Sequence, residues 1–274
     1  MPISARQREV LHRELPGADL DELVVHQGQF HEVVLGADRV VCFARTASAA
    51  SRLPARAARL RTVADLGLGF TTPVPLSEVD GDPACLVLSR VPGDPLAADR
   101  LAAPPEFEAV AAGFGALLRE LAGVRAGLPS AGRWPEFAEG VRAELFPLMS
   151  ASGRARAEAE LAAITALPHR VTGLVHGDLG GENVLWCEQD GLPRLSGVVD
   201  WDEAGLGDQA EDLAAIRASY GEEMARAVVA HLPPDESLLD RARVIGGTFA
   251  LQQALSGLRD GDEEELADGL SGYR

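Results

Sequence analysis

The chain has 274 residues, 46% of them apolar, and a formal net charge of −17. The apolar content is ample for a buried core, while the acidity argues against nucleic acid and anionic membranes as partners and favours a cationic ligand. No lysine occurs, so all 25 basic residues are arginine, which excludes a Walker P-loop, a Schiff-base lysine and a Ser–Lys pair.

Met1 to Val10 has no apolar segment of the secretory kind, and no uncharged stretch is long enough to span a bilayer, so a soluble, cytoplasmic protein is expected. Residues 22–45 read as two or three strands: Leu23-Val24-Val25, a turn at Gln27-Gly28-Gln29, Phe30 to Leu35, a turn at Gly36-Ala37-Asp38, and Arg39 to Ala44. Ala47 to Leu66 reads as a helix ended by Gly67 and Gly69, and Cys85 to Leu88 as a buried strand. Apolar residues from Phe107 to Leu121 recur at helical spacing, predicting an amphipathic helix over 106–122 closed by Gly123. A helix is expected over 154–167, and another from Leu238 to Leu258, apolar on more than one side. Between them Asn183 to Trp186 and Leu195 to Val199 form a hairpin about Gln189-Asp190-Gly191. Cys42, Cys85 and Cys187 are odd in number, far apart and without zinc spacing, and are expected to be buried, reduced thiols.

Chemistry concentrates in His176-Gly177-Asp178, Asn183 five residues after Asp178, and Asp200 seventeen residues further on. Protein kinases use such parts: a catalytic-loop Asp, an Asn five residues on, and a metal-binding Asp after the next hairpin. Asp178 on a loop can accept the proton of an attacking hydroxyl. Asn183 and Asp200 can offer hard oxygen ligands to a Mg²⁺ that bridges phosphates. His176 reads as a packed loop organiser. Asp208 is expected to cap a helix with Glu211 three residues on as in a capping box. Asp212 is either a solvated first-turn acid or the group that holds the loop's N–H donors, and analogy favours the second.

Gly28 lies in a tight turn where bare backbone can approach phosphates. Leu88-Ser89-Arg90-Val91 is expected to connect the two parts, with the backbone about Ser89 and Val91 meeting the adenine edge. From Asp200 onward seventeen acids stand against six arginines. Asp202, Glu203, Asp262, Glu263 and Glu264, with Asp260 and Glu265, are candidates to hold a cation; solubility alone is the other reading.

On HGD-x4-N, the Asp-led metal motif and the Gly-Asp-x3-Asp-Leu-Ala helix start, the chain resembles the aminoglycoside phosphotransferase family. The stretches 26–54, 144–150, 175–186, 197–216 and 259–274 resemble, more specifically, its branch acting on tuberactinomycin antibiotics. The resemblance implies an α+β, bilobal, protein-kinase-like fold. Its small β-rich N-lobe, 1–91, covers the nucleotide, and its mainly helical C-lobe, 92–274, carries the catalytic loop, metal site and acidic substrate region. It further implies ATP, with GTP left open, and Mg²⁺. The acceptor is a seryl hydroxyl of a cationic cyclic peptide antibiotic such as viomycin or capreomycin, whose phosphorylation confers resistance. Alternatives are a kinase for another hydroxylated cation (an aminoglycoside or choline-like amine) and a non-catalytic, antibiotic-binding pseudokinase. Joint retention of Asp178, Asn183 and Asp200 argues against the last.

The chain departs from the wider kinase pattern in three respects. The small-lobe Lys is absent, the helix from Ala47 has no Glu to pair with it, and Asp200-Trp201-Asp202 replaces Asp-Phe-Gly. Arg45 is the candidate to reach the phosphates, although strand alternation puts it on the face opposite Cys42, which fits the Lys slot about as well.

Overall fold

The computed structural model describes residues 3–28, 30–101, 104–125, 127–129 and 133–274. The chain forms two compact units, Met1–Leu96 with Glu182–Asp202, and Ala97–Gly181 with Glu203–Arg274. The first begins with α1 (Ala5–Glu14), β1 (Val25–Gln27), β2 (His31–Leu35), β3 (Arg39–Ala44), α2 (Ala47–Ala64), β4 (Pro75–Val79), β5 (Cys85–Ser89) and β6 (Asp94–Pro95). The second takes α3 (Pro104–Gly123), α4 (Arg133–Gly140), α5 (Ala151–Thr165) and β7 (Gly173–Val175). The hairpin β8 (Val184–Gln189) and β9 (Leu192–Val198) belongs to the first unit. The second ends with β10 (Gly205–Gly207), α6 (Ala210–Ala230), α7 (Leu238–Gly246), α8 (Phe249–Asp260) and α9 (Glu263–Gly269).

In the first unit an antiparallel sheet runs β1-β2-β3-β5-β4. The turn at Gly36-Ala37-Asp38 pairs Leu35 with Val40, so Val34, Val41 and Val87 are buried with Phe43 and Cys85 in one core. Helix α1 closes that core with Val10 and Leu11, its start fixed by a capping box between Ser4 and Gln7. Helix α2, capped by Thr46, buries Ala49, Leu53, Ala57, Leu60 and Val63 at helical spacing, and full burial of a Leu contributes roughly 2 kcal/mol.

The hairpin adds β6 on the outer side of β8. Its two-residue loop has Asp190 and Gly191 at φ 54° and 74°, the mirror-image turn whose twist matches a hairpin. At its other end Thr71 N–H donates to Ser196 O and Val198 N–H to Thr71 O, both at 3.0 Å, tying β9 to the segment before β4.

The second unit is mostly helical. Val110, Ala111, Phe114, Leu117, Leu118 and Leu121 form the buried stripe of α3, which packs on α6. A further core gathers Val141, Leu145, Ala157, Leu161, Leu251, Leu255 and Tyr273. Strands β7 and β10 pair antiparallel, Val175 opposite Gly205. No helix among the described residues is long and apolar enough to cross a membrane.

Several expectations need correction. The single helix over Leu238–Leu258 is two, α7 and α8, because Gly247 and Thr248 leave the helix while the apolar pattern continues across them. Cys42 and Cys85 are buried, but Cys187 is exposed, since β8 is buried only through Trp186. Strand β1 starts at Val25, where Leu23 had been expected; of the turn that follows, Gln29 lies outside the described residues. The compact units also divide differently from 1–91 and 92–274. Asp94 and Pro95 pair with Trp186 and Leu185, which keeps residues up to Leu96 and the hairpin with the first sheet.

A Cβ at Gly197 would lie 2.4 Å from both Thr71 O and Val91 Cγ1. Gly197→Ala is therefore expected to lower unfolding free energy by about 1–3 kcal/mol, read from the urea midpoint, with the first unit opening earlier. An unchanged midpoint would mean the Thr71 bridge yields at no cost.

Candidate active site

In the second unit, β7 ends at Val175 and delivers a tight loop. His176 is fully buried, Gly177 has φ 86°, and Asp178 is exposed to solvent. His176 Nδ1 accepts the N–H of Asp178 at 3.3 Å. Asp212, in the first turn of α6 and fully buried, accepts His176 N–H on Oδ2 and Gly177 N–H on Oδ1, each at 3.0 Å. One carboxylate thus satisfies two successive donors that the left-handed glycine turns inward. Gly181 N–H donates to Ser219 Oγ at 2.9 Å, a second tie from α6 to the same loop.

The start of α6 is itself held. Asp208 Oδ1 accepts Ala210 N–H at 3.1 Å and Glu211 Oε1 accepts Asp208 N–H at 3.2 Å, but the N-cap position of α6 is Gln209, so Asp208 holds the helix start from one residue before the position expected. Arg241 of α7 forks onto both oxygens of Asp208, Nε to Oδ2 at 2.7 Å and Nη2 to Oδ1 at 3.0 Å, and also reaches Asp235. With the Arg241 side chain only 3% exposed, this pair is shielded from water, so losing one partner would strand a buried charge.

In the first unit, the open end of the β8–β9 hairpin gathers the other candidates. Asn183 is buried, and its carbonyl accepts Val199 N–H at 2.9 Å, so Asn183 and Asp200 flank the same end of the hairpin. Asp200 has φ 62°, a left-handed conformation unusual for a residue with a side chain and of order 1 kcal/mol in cost. Trp201 anchors it: fully buried, stacked on Phe70, and donating its indole N–H to Val198 O at 2.9 Å.

Sequence reading missed the residue that meets these acids. Arg56 Nη2 donates to Asp200 Oδ1 at 3.3 Å, and its Nε lies 3.0 Å from Asp202 Oδ1. Its Nη1 lies 3.1 Å from His31 Nδ1. The signal was available, because Arg56 interrupts the Leu53, Ala57, Leu60 stripe of α2 and so had to point where apolar residues pack. Burial, with the adjacent Arg56 charge, pushes the His31 pKa down to about 4, so the ring is neutral at neutral pH. Burial pushes the Cys42 thiol up to about 11, and Cys42 lies within the field of Arg56. Cys42 is therefore an uncharged occupant of the face where a lysine had been sought.

The remaining candidates are placed as follows. Gly28 N–H donates to His31 O and Arg45 Nη1 donates to Gly28 O, both at 2.8 Å, so Arg45 braces the turn. Ser89 N–H is given to Val74 O and Arg90 N–H to Asp38 O, each at 2.9 Å, while Val91 is buried. Glu203, Glu263 and Glu264 are exposed. Asp262 caps α9, its Oδ1 accepting from Glu264 and Glu265 N–H, so the acids after it occupy a helix start that favours negative charge.

Among the described residues no three His, Cys, Asp or Glu side chains converge as a metal cage. An ion shared with phosphates needs only one or two carboxylates and further oxygens. The amide of Asn183 and the carboxylate of Asp200, at one hairpin end, are a donor set of that hard-oxygen kind and could hold such an ion.

Asp212→Asn replaces one acceptor oxygen by an NH₂ that faces an N–H donor. It is expected to cost about 2–3 kcal/mol of stability and to raise amide exchange at His176 and Gly177 first. Exchange that rises uniformly across α6 instead would show that the carboxylate supports the helix and not the loop.

Residues 20–242 match the family model described as the phosphotransferase enzyme family. Viomycin phosphotransferase of Streptomyces vinaceus is 59% identical over 287 aligned positions, covering all of both chains. Among solved structures, the GDP complex of wild-type aminoglycoside 2'-phosphotransferase-IIIa is similar with a TM-score of 0.81 and 19% identity, covering 97% of this chain and 95% of that one. The streptomycin–ATP complex of APH(2")-IIa is similar with a TM-score of 0.74 and 16% identity, covering 99% and 96%. An antiparallel N-terminal sheet followed by a mostly helical part is the kinase-like arrangement of those structures. The chain belongs to the phosphotransferase enzyme family.

Proposed function

We propose that this chain inactivates a cationic cyclic peptide antibiotic of the viomycin type by transferring the γ-phosphoryl group of a nucleoside triphosphate to a seryl hydroxyl. The observation that carries this is the 59% identity to viomycin phosphotransferase over the whole of both chains. Viomycin or its relative capreomycin is the substrate class. ATP is the expected donor, supported by the ATP complex among the similar structures, and the GDP complex keeps GTP as a second donor.

The chemistry asks for a base, a held donor and a charged surround. Asp178, exposed at the tip of a loop fastened by Asp212 and organised by His176, takes the proton of the attacking hydroxyl. Asn183 and Asp200 would hold Mg²⁺, whose charge, when bound, neutralises the phosphate oxygens. Gly28 and the backbone near Val91 remain candidates for nucleotide contact. The N–H of Ser89 is already committed to Val74, which weakens it as an adenine donor. Glu203, Glu263 and Glu264 are exposed acids suited to a polycation; Asp202 faces Arg56 and Asp262 serves α9. A purely binding protein would have no use for the fastened loop with its exposed aspartate.

Release of ADP from ATP and Mg²⁺ should depend on added viomycin or capreomycin. Asp178→Ala should lower kcat by roughly a hundredfold or more with antibiotic affinity largely kept. Turnover within a few-fold of the parent would remove Asp178 as the base.

A further inference from the structure

A chain that binds nucleotide phosphates without lysine must bring its positive charge from elsewhere. Strand β3 offers none on the face that carries Cys42, where its alternate neighbours are Val40 and Ala44. Arg45, just beyond the strand, is engaged with the carbonyl of Gly28. The guanidinium beside Asp200 comes instead from α2. The Arg56 side chain is 13% exposed, and three of its N–H-bearing nitrogens face Asp200, Asp202 and His31. A guanidinium has five N–H groups, so two remain for another acceptor.

His31 sharpens the case. Its Nδ1 faces a donor that cannot give up its charge, so Nδ1 accepts and the proton sits on Nε2. That Nε2 is buried and has no hydrogen-bond partner among the described residues. A buried N–H without an acceptor is destabilising, and an anionic oxygen would relieve it. The guanidinium beside Asp200 and the N–H on the far edge of the His31 ring are both donors of the kind that polyphosphate oxygens accept.

We propose that Arg56, carried by α2, is the phosphate-binding cation of this enzyme, with His31 Nε2–H as its second donor. Asp200 and Asp202 hold the guanidinium in place, and Asp200 would also be the carboxylate that a bound Mg²⁺ takes as a ligand. This rests on the nucleotide-dependent reading above but not on the identity of the acceptor.

Calorimetric titration tests it without turnover. The parent, Arg56→Met and Arg56→Gln are each titrated with Mg·ATP and, separately, with adenosine. Loss of a charge-assisted pair predicts Mg·ATP affinity weaker by roughly 10- to 100-fold in both variants, with adenosine affinity within about twofold of the parent. Arg56→Gln keeps a polar, hydrogen-bonding amide at this position and decides the matter should Arg56→Met fail to fold. Unchanged Mg·ATP affinity, or an equal loss for adenosine, would overturn the proposal in favour of a purely structural Arg56. A parent that binds Mg·ATP but phosphorylates no peptide would refute the acceptor and leave Arg56 standing. A parent that binds no Mg·ATP would remove both.

Discussion

Every permanent positive charge on a side chain of this protein is a guanidinium, and guanidinia bind differently from ammonium groups. They are planar, they fork onto carboxylates, and they hold their charge when buried. Two buried arginines show the consequence. Arg241 grips Asp208 with two hydrogen bonds and so sets where α6 begins, and α6 in turn presents Asp212 to the loop that carries Asp178. Arg56 lies against Asp200 and Asp202 at the end of the β8–β9 hairpin. Asp200, Asp202, Asp208 and Asp212 are therefore each held by a named partner, an arginine or a pair of backbone donors, and Asp178 is carried on the loop that Asp212 fastens.

The two halves of the motif are built by different means. Asp178 depends on a chain of dependencies through α7, α6 and the His176-Gly177 backbone, any link of which can be broken by one substitution. Asn183 and Asp200 depend on hairpin register. The mirror-image turn at Asp190-Gly191 sets the pairing, Thr71 pins the other end at Gly197, and Trp201 packs on Phe70. Register matters because a slip of one residue would send Asp200 to the opposite face. The left-handed φ of Asp200 follows from the same anchoring, with the strain localised at the residue that faces Arg56.

Much of this was legible in the sequence, and for physical reasons. The sheet strands β2, β3 and β5, helix α3 and the hairpin announced themselves through apolar periodicity and turn residues. HGD-x4-N with a later aspartate pointed to the reaction class. What escaped had weaker local signals. Helix α1 has few apolar residues, and only Ser4 with Gln7 marked its start. Strand β4 opens on a proline, which reads as a break although an edge strand tolerates it. The division at 91 overlooked β6, a two-residue strand whose pairing to β8 is non-local. Arg56 was missed because attention fell on β3, where the lysine of the wider pattern would sit, while the charge came from an adjacent helix. A charged residue in register with a buried stripe is the feature that would have found it.

The central claim is that these acids serve phosphoryl transfer to one hydroxyl of a cationic peptide. It is tested most directly by the mass of the antibiotic itself. Viomycin, capreomycin and a congener with Ala at the reactive Ser should each be incubated with the enzyme, ATP and Mg²⁺. The account predicts that a parent antibiotic gains one phosphoryl group and that the alanine congener, which keeps its charges, gains none. A phosphorylated congener, or no mass gain on any peptide while an aminoglycoside gains one, would contradict it.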